Sequence, residues 1–590
     1  MPTTIAVACP RRFSPRYAAR RVGSSETLYA AISFADLDAE ATRLARGLAA
    51  WGVPPGTRLA LLVRPGIEFV TLVFALLRAG MVTILVDPGL GRRNLLRCLT
   101  EAEPEGFVAV PVAQAARLCL PRRFPHAKWN VTVGRRWFWR GPTLDQLRAV
   151  GWAPPTKNDK LPHLVGSAHP TSPDEPAAII FTSGSTGPPK GVLYTHRMFD
   201  TQVAEIQSMY GIEPAGIDLA CFPLFALFNA AMGVTTVLPD MDFSRPAQAD
   251  PRKLLAAAND WQVTQAFASP AVWCVVSEHC ANTGERIESL RQVFSCGAPV
   301  SARVLRATLD CIAPGATMHT PYGATECLPV ATIEAAEVLR ETAAKTDQGA
   351  GVCVGRKFDS IDWRVVRITD EPIAVMEDAE PLSPGEIGEL IVRGPQASPC
   401  YVTRPAANAA AKITDLRAGP STAPAELADD PSRRNSETQL STWHRMGDIG
   451  YLDEQGRFWY CGRKSHRVES NQRTLYTECV ESIINTHPAV RRSALVGVGP
   501  RGEQTPVVIV ETNETWSNAH QDELLRLART HEKTEAIDHF LIVPWRLPVD
   551  IRHNAKINRE KLAAWAAKRI NKRAPSQSVL RSRAERGNEA

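Results

Sequence analysis

The sequence predicts an α/β protein with a large, multi-sheet N-terminal α/β domain and a smaller, mobile α+β C-terminal domain. Three observations predict it. Apolar strand patterns alternate with helical ones through the first part of the chain, as in parallel sheets covered by helices. The pattern changes character after Arg463 to a unit of roughly a hundred residues. The length, 590 residues, exceeds what one ordinary core serves. The reading divides the chain at 1–462 and 463–573, with an insertion or mobile loop at 406–441 and a disordered tail at 574–590.

Leu59–Val63 reads as a strand, Glu68–Arg78 as a helix and Val82–Val86 as the next strand. Ala177–Phe181 is a further buried strand, from which a loop leaves the sheet edge. Between Asp242 and Cys296 the alternation repeats, with a helix at Arg252–Asn259, a strand at Gln265–Ala268 and another ending at Cys296. The Ala-, Pro-, Ser- and Arg-rich stretch 406–441 breaks the pattern. Gly450–Tyr460 then reads as a hairpin turning at Asp453–Gly456. In the small domain, Gly497–Gly502 fits G-x-G-x-x-G, but the β-rich run Thr505–Glu511 follows where a dinucleotide site needs a helix, so it reads as a hairpin turn. The polar, charged residues past Arg573 read as disordered.

Composition is that of a soluble globular protein, 44% hydrophobic and 22% charged. A net charge of +6 over this length gives no electrostatic footprint for nucleic acid. Thirteen cysteines, an odd number without a C-x-x-C pair, fit reduced thiols and a cytoplasmic location. Arg11, Arg12, Arg16, Arg20 and Arg21 precede the first acid and lack an apolar core, so the N-terminus reads as a solvated, untethered end and not as a secretory signal. The apolar runs Phe69–Val86 and Leu219–Leu238 are interrupted by Arg78 and Gly80, and by Pro223, Asn229 and Gly233, which argues against transmembrane helices.

Chemistry concentrates at Thr182-Ser183-Gly184-Ser185-Thr186-Gly187-Pro188-Pro189-Lys190-Gly191. Glycines let backbone N–H groups turn inward, the hydroxyls add donors and Lys190 adds a full charge, so the loop suits a phosphate chain. A P-loop is the alternative, but Pro188 and Pro189 separate Gly187 from Lys190, Gly191 follows, and together they make a poor helix start beyond the first turn. The run resembles the phosphate loop of the adenylate-forming superfamily of acyl-CoA synthetases, luciferases and adenylation domains.

Further segments match that superfamily's motifs in order. Gly297-Ala298-Pro299 resembles its adenine-side loop, and Tyr322-Gly323-Ala324-Thr325-Glu326 its Y-G-x-T-E motif. The resemblance implies that Tyr322 stacks on adenine, Thr325 bonds the α-phosphate and Glu326 holds Mg²⁺. Asp448 matches the acid that accepts the ribose hydroxyls, Arg463 the second ribose contact and Lys556 the catalytic lysine. ATP and Mg²⁺ are thereby implied, with an acyl-adenylate as the first product.

The departures narrow the reading. Ala226 stands where thioester-forming members usually carry histidine, the hinge position falls on Ser465 or Lys464, and Asn471 replaces an expected glycine. With Val86–Gly91 and Arg552–Ile557, these features resemble the β-lactone synthetase branch of bacterial olefin biosynthesis. That branch implies a long-chain 2-alkyl-3-hydroxy fatty acid whose own β-hydroxyl closes a four-membered lactone on the adenylate. It also implies partner enzymes: a thiolase-like condensing enzyme, a reductase and a β-lactone decarboxylase. A fatty acyl-CoA or acyl-AMP ligase, or an inactive nucleotide-binding scaffold, stays open. Phe225, Leu227, Phe228 and Met232 are candidates for an acyl tunnel, and His319 for a base.

Overall fold

The computed structural model describes residues 4–24, 26–151, 172–182, 188–415, 442–513, 515–549 and 557–573. Ser183–Gly187, Lys556, residues 416–441 and the tail 574–590 lie outside the described residues.

Two sheets carry the alternating pattern. The first contains Trp129–Thr132, Gly106–Ala109, Arg58–Leu62, Val82–Leu85, Pro176–Phe181 and Gly191–Thr195 in that spatial order. All its pairs are parallel except the last, where Gly191–Thr195 folds back antiparallel on Pro176–Phe181. The loop between those two strands therefore leaves a strand one position inside the edge, not the edge strand itself. The helix Ile67–Arg78 is buried along most of its length against this sheet, which is why its sequence is apolar nearly all round.

The second sheet runs Thr317–His319, Gln292–Ser295, Gln265–Ala268, Ile217–Ala220, Thr235–Val237, Ile5–Pro10, Leu28–Ser33 and Ala19–Arg21. Its first six strands are parallel. The N-terminus is thus no untethered end. Ala6–Cys9 are fully buried in the sheet, Arg16 pairs with Asp145, and the Arg20 guanidinium lies 5.2 Å over the Trp261 ring. Five arginines dominate the composition there, but the short apolar run Ile5–Cys9 decides the structure.

A third, antiparallel sheet follows, ordered Tyr322–Ala324, Cys327–Thr332, Val352–Lys357, Phe458–Arg463, Thr442–Leu452, Gly388–Arg393 and Asp362–Val366, with Lys412–Thr414 also pairing Thr442–Leu452. The hairpin at Gly450–Tyr460 is present, closed by Asp453, whose carboxylate accepts from the Gln455 and Arg457 backbone N–H groups. The expected irregular segment at 406–441 needs correction at its start. Pro405–Ala411 is a helix entered through Pro405, and Lys412–Thr414 is a strand, because Ala411 and Ile413 bury against the sheet.

The smaller C-terminal part holds Val490–Val498, Thr505–Thr512 and His539–Val543 in one three-stranded sheet, packed by helices at Thr477–Ile484, Asn518–Arg529 and Arg559–Arg573. Gly497–Gly502 spans the turn of the first two strands, as the sequence predicts. Ion pairs as well as apolar contacts join this part to the larger one. Lys464 Nζ donates to Glu389 Oε2 at 3.0 Å and to the Thr369 carbonyl at 3.1 Å, Arg445 Nη2 donates to the same Glu389 oxygen at 2.6 Å, and Arg467 pairs with Asp370 at 2.6 Å. No helix among the described residues is long and apolar enough to cross a membrane.

One buried acid makes a stability prediction. Asp218, fully buried, accepts from Asn229 Nδ2 at 2.8 Å, and burial pushes its carboxyl up to about 7. Between about pH 4 and 7 it is protonated when folded and ionised when unfolded, so it withdraws stability as pH rises through that window. Asp218→Asn is expected to match wild type near pH 4 and to exceed it above pH 7 by up to ~4 kcal/mol. Urea midpoints at the two pH values check this; a pH-independent gap refutes it.

Candidate active site

A cavity of about 1190 Å³ is bounded by all three large sheets. That is above the roughly 300–1,000 Å³ of ordinary small-molecule sites. One part of its wall is polar and carries Thr182, Lys190, Tyr322, Gly323, Thr325, Glu326 and Arg463. Another is apolar, formed by Phe199, Val203 and Ile206 on one helix and Phe225, Leu227, Phe228 and Met232 on the next. Those two helices are held by their ends. Thr195 caps His196–Tyr210 by accepting from the Met198 N–H, and glycines at positive φ, Gly211 (58°) and Gly233 (76°), end the two helices.

At the polar end, strand register does the positioning. Asp448 and Arg463 face each other across the hairpin, and Arg463 Nη1 lies 3.0 Å from Asp448 Oδ1. Tyr322 donates its phenol to Asp448 Oδ2 at 2.5 Å. Burial, then the Asp448 charge, holds the phenol proton well above its ordinary range, while Asp448 is the largest cause of Arg463 being raised. The three residues assigned to base and ribose by motif are thus joined through Asp448, hydrogen-bonded to Tyr322 and ion-paired with Arg463. Thr325 is fixed through its carbonyl, which accepts from the Tyr194 hydroxyl at 2.7 Å.

Glu326 Oε1 accepts from the Tyr401 hydroxyl at 2.6 Å, and Lys190 Nζ stands 4.7 Å over the Tyr401 ring. Burial lowers the Lys190 ammonium, with Glu326 opposing and Arg404 and Arg463 adding to the effect. Among the described residues no three His, Cys, Asp or Glu side chains gather as a metal cage. A hard cation here fits the other pattern, one carboxylate completed by phosphate oxygens, and Glu326 on the cavity wall is suited to it.

Gly297 follows the strand Gln292–Ser295 at φ 96° and lines the cavity, whereas Ala298 and Pro299 continue the turn without lining it. Of the loop, Thr182 and Lys190 are described; the Lys190 N–H donates to Thr182 Oγ1 at 3.2 Å and so closes its base. Ser183, Gly184, Ser185, Thr186, Gly187 and Lys556 lie outside the described residues.

Sequence reasoning missed a cluster around Glu326. Tyr401 and Arg404 line the cavity, and Arg404 also binds Glu101 at 2.8 Å. Lys412 donates to the Ser398 carbonyl; burial pushes its ammonium down to about 8 against the pull of Glu326. His444, its partner across the strand pair, is buried and lines the cavity, and burial followed by the Lys412 and Lys190 charges keeps it neutral. No motif spacing announces these residues, because the strand Lys412–Thr414 meets Thr442–Leu452 from across residues 416–441.

The departures also find their places. Ala226 is fully buried and packs into the hydrophobic core, while its neighbours Phe225 and Leu227 line the cavity. Lys464 is committed to Glu389, Ser465 lines the cavity, and exposed Asn471 sits in a tight turn where Ser470 N–H donates to the Arg473 carbonyl at 3.1 Å. The candidate base His319 packs against Tyr210 and Phe294 instead, and burial pushes it down to about 4.

The family model described as AMP-binding enzyme matches residues 12–402. The chain is 45% identical over 576 residues, 97% of both sequences, to an olefin beta-lactone synthetase of Stenotrophomonas maltophilia (strain K279a). It is 43% identical over 571 residues to an olefin beta-lactone synthetase of Xanthomonas campestris pv. campestris, covering 96% of this chain and 95% of that one. An amide bond synthetase structure from Marinactinospora thermotolerans shares the fold, with a TM-score of 0.71 at 21% identity over 95% of this chain and 97% of that one. Matched over most of its length, the chain belongs to the AMP-binding, adenylate-forming enzymes.

Proposed function

We propose that the protein activates a long-chain 2-alkyl-3-hydroxy fatty acid with ATP and closes it to a β-lactone, releasing AMP and pyrophosphate. The observation that carries the reading is a single cavity joining the polar motif residues to a long apolar wall. Near-full-length similarity to two olefin beta-lactone synthetases supports it.

In this reading residues 1–462 form the adenylating domain and 463–573 a lid that brings Lys556 to the site. The loop Thr182–Lys190 holds the phosphates, Gly297–Pro299 and Tyr322 the adenine, Asp448 and Arg463 the ribose, and Thr325 the α-phosphate. Mg²⁺ on Glu326 supplies charge neutralisation at the phosphates. The carboxylate attacks the α-phosphorus and pyrophosphate departs, with Lys190 and Lys556 offsetting the charge that develops. In the second step the β-hydroxyl oxygen bonds the acyl carbon. The bond from that carbon to the phosphate oxygen breaks, its electrons leave with AMP, and the hydroxyl proton passes to solvent. Tethering makes this step unimolecular, so no thiol site is needed. Such a substrate requires a condensing enzyme and a reductase upstream and a lactone-decarboxylating enzyme downstream, working with this one in the cytoplasm.

Purified protein with ATP, Mg²⁺ and a 2-alkyl-3-hydroxy fatty acid is expected to yield β-lactone and AMP equally with and without CoA; strictly CoA-dependent product and no lactone would overturn the proposal. Asp448→Ala removes the acceptor of the ribose hydroxyls and is expected to raise the KM for ATP by about tenfold or more. Lys556→Ala is expected to lower ATP–pyrophosphate exchange by about 10² or more while ATP still binds. Steady-state kinetics and equilibrium nucleotide binding separate these two effects. An unchanged KM for ATP in Asp448→Ala would remove Asp448 from the nucleotide site.

A further inference from the structure

Four strands of the first sheet, Trp129–Thr132, Gly106–Ala109, Arg58–Leu62 and Val82–Leu85, are neighbours and parallel, so the segments that follow them leave the sheet at one end. Those segments are residues 133–141, 110–112, 63–66 and 86–93. They carry six arginines, Arg64, Arg92, Arg93, Arg135, Arg136 and Arg140, all exposed, and one acid, Asp87. The whole chain is far closer to balance, with 68 Lys and Arg to 62 Asp and Glu. On the same rim stand the three most exposed large hydrophobic side chains among the described residues: Phe138 at 83%, Val112 at 70% and Trp137 at 52%.

The aromatic loop is anchored. Gly134 and Gly141 turn at φ 108° and 103°, the buried Trp139 donates its indole N–H to Thr132 Oγ1 at 2.8 Å, and Arg136 donates to the Gly141 carbonyl. Trp137 and Phe138 rest on the Trp139 ring, with centroids 5.3 and 5.4 Å from it, and are held out in water. Exposed apolar side chains grouped within a polar rim mark an interaction site. The rim also bounds the cavity: Arg64, Asp87, Val110 and Ala113 line it. The aromatic loop starts against this wall, since a Cβ on Gly134 would lie 3.9 Å from Pro111 Cδ. Arginines call for an anionic surface, and the aromatic tip calls for an apolar layer just beneath it. An anionic bilayer offers the two in that order, phosphates outermost and acyl chains one side chain deeper. A long-chain acid of the proposed kind itself partitions into bilayers.

We infer that this rim docks on the surface of an anionic lipid bilayer, with Phe138 and Trp137 at headgroup depth and the arginines on lipid phosphates, so that the cavity takes its long-chain acid from the membrane. The docking stands on the chemistry of the rim; the supply of substrate through it rests on the β-lactone reading. Attachment of this kind is peripheral and reversible, since it combines a few interfacial rings with charge attraction that salt screens.

The test sediments the full-length protein with vesicles of phosphatidylcholine, alone or with about one third phosphatidylglycerol. Wild type is expected to pellet with the anionic vesicles, to be released from them by high salt, and to leave the neutral ones largely unbound. The double variant Arg135→Ala/Arg140→Ala is expected to weaken the partition by about tenfold or more, near fivefold for each arginine. Trp137→Ala/Phe138→Ala is expected to weaken it as well. None of these four side chains lines the cavity, so ATP–pyrophosphate exchange on a short, water-soluble 3-hydroxy acid is expected to keep the wild-type rate in both variants. Exchange on the long-chain acid presented in anionic vesicles is expected to fall with the binding. A wild type that ignores anionic vesicles, or an arginine variant that binds them as wild type does, overturns the inference. Self-association abolished by the same variants, without vesicle binding, would assign the rim to a protein partner and overturn it too. Sedimentation needs no ATP, so an absence of lactone product would count against the functional reading and leave the docking result standing.

Discussion

The pairing of Asp448 with Arg463 across one hairpin is the constraint on which the site depends. It ties together two adjacent strands of the third sheet, fixes the phenol of Tyr322 from a third strand, and stands directly before Lys464, where the chain leaves for its smaller part. The carboxylate is buried, and removing a partner from such a pair leaves an uncompensated charge, so the arrangement is costly to alter piecemeal. The same strand supplies Arg445 to Glu389, whose second cationic partner is Lys464. One stretch of backbone, Thr442–Leu452, thereby aligns the polar end of the cavity and the joint of the two parts.

Around Glu326 the opposite principle operates. Lys190, Arg404 and Lys412 gather near Glu326, Arg404 is paired with Glu101, and burial lowers both lysines. Burial, more than neighbouring charge, is what lowers them, and Glu326 pulls both back up. Tyr401 braces the centre, with its hydroxyl on Glu326 and its ring under Lys190.

The sequence displayed whatever is local. The helix at Glu68–Arg78, the strands on either side of it and the hairpin around Asp453–Gly456 each announce themselves through period or turn chemistry, and Tyr322 and Glu326 through a motif. Tyr401, Lys412 and His444 are silent because their proximity is created by pairing between strands on either side of a long intervening segment. The N-terminus misleads through composition, since the arginines outnumber the few apolar residues that place Ile5–Pro10 inside a sheet.

Ala226 limits what side chain its helix can carry there. It is sealed in the hydrophobic core with no exposed surface, between neighbours that face the cavity. Replacing its methyl group by an imidazole would overpack that core by about 1–3 kcal/mol and bury two ring nitrogens among apolar side chains. A bulky polar side chain at 226 therefore fits only if the helix Phe225–Met232 turns as well.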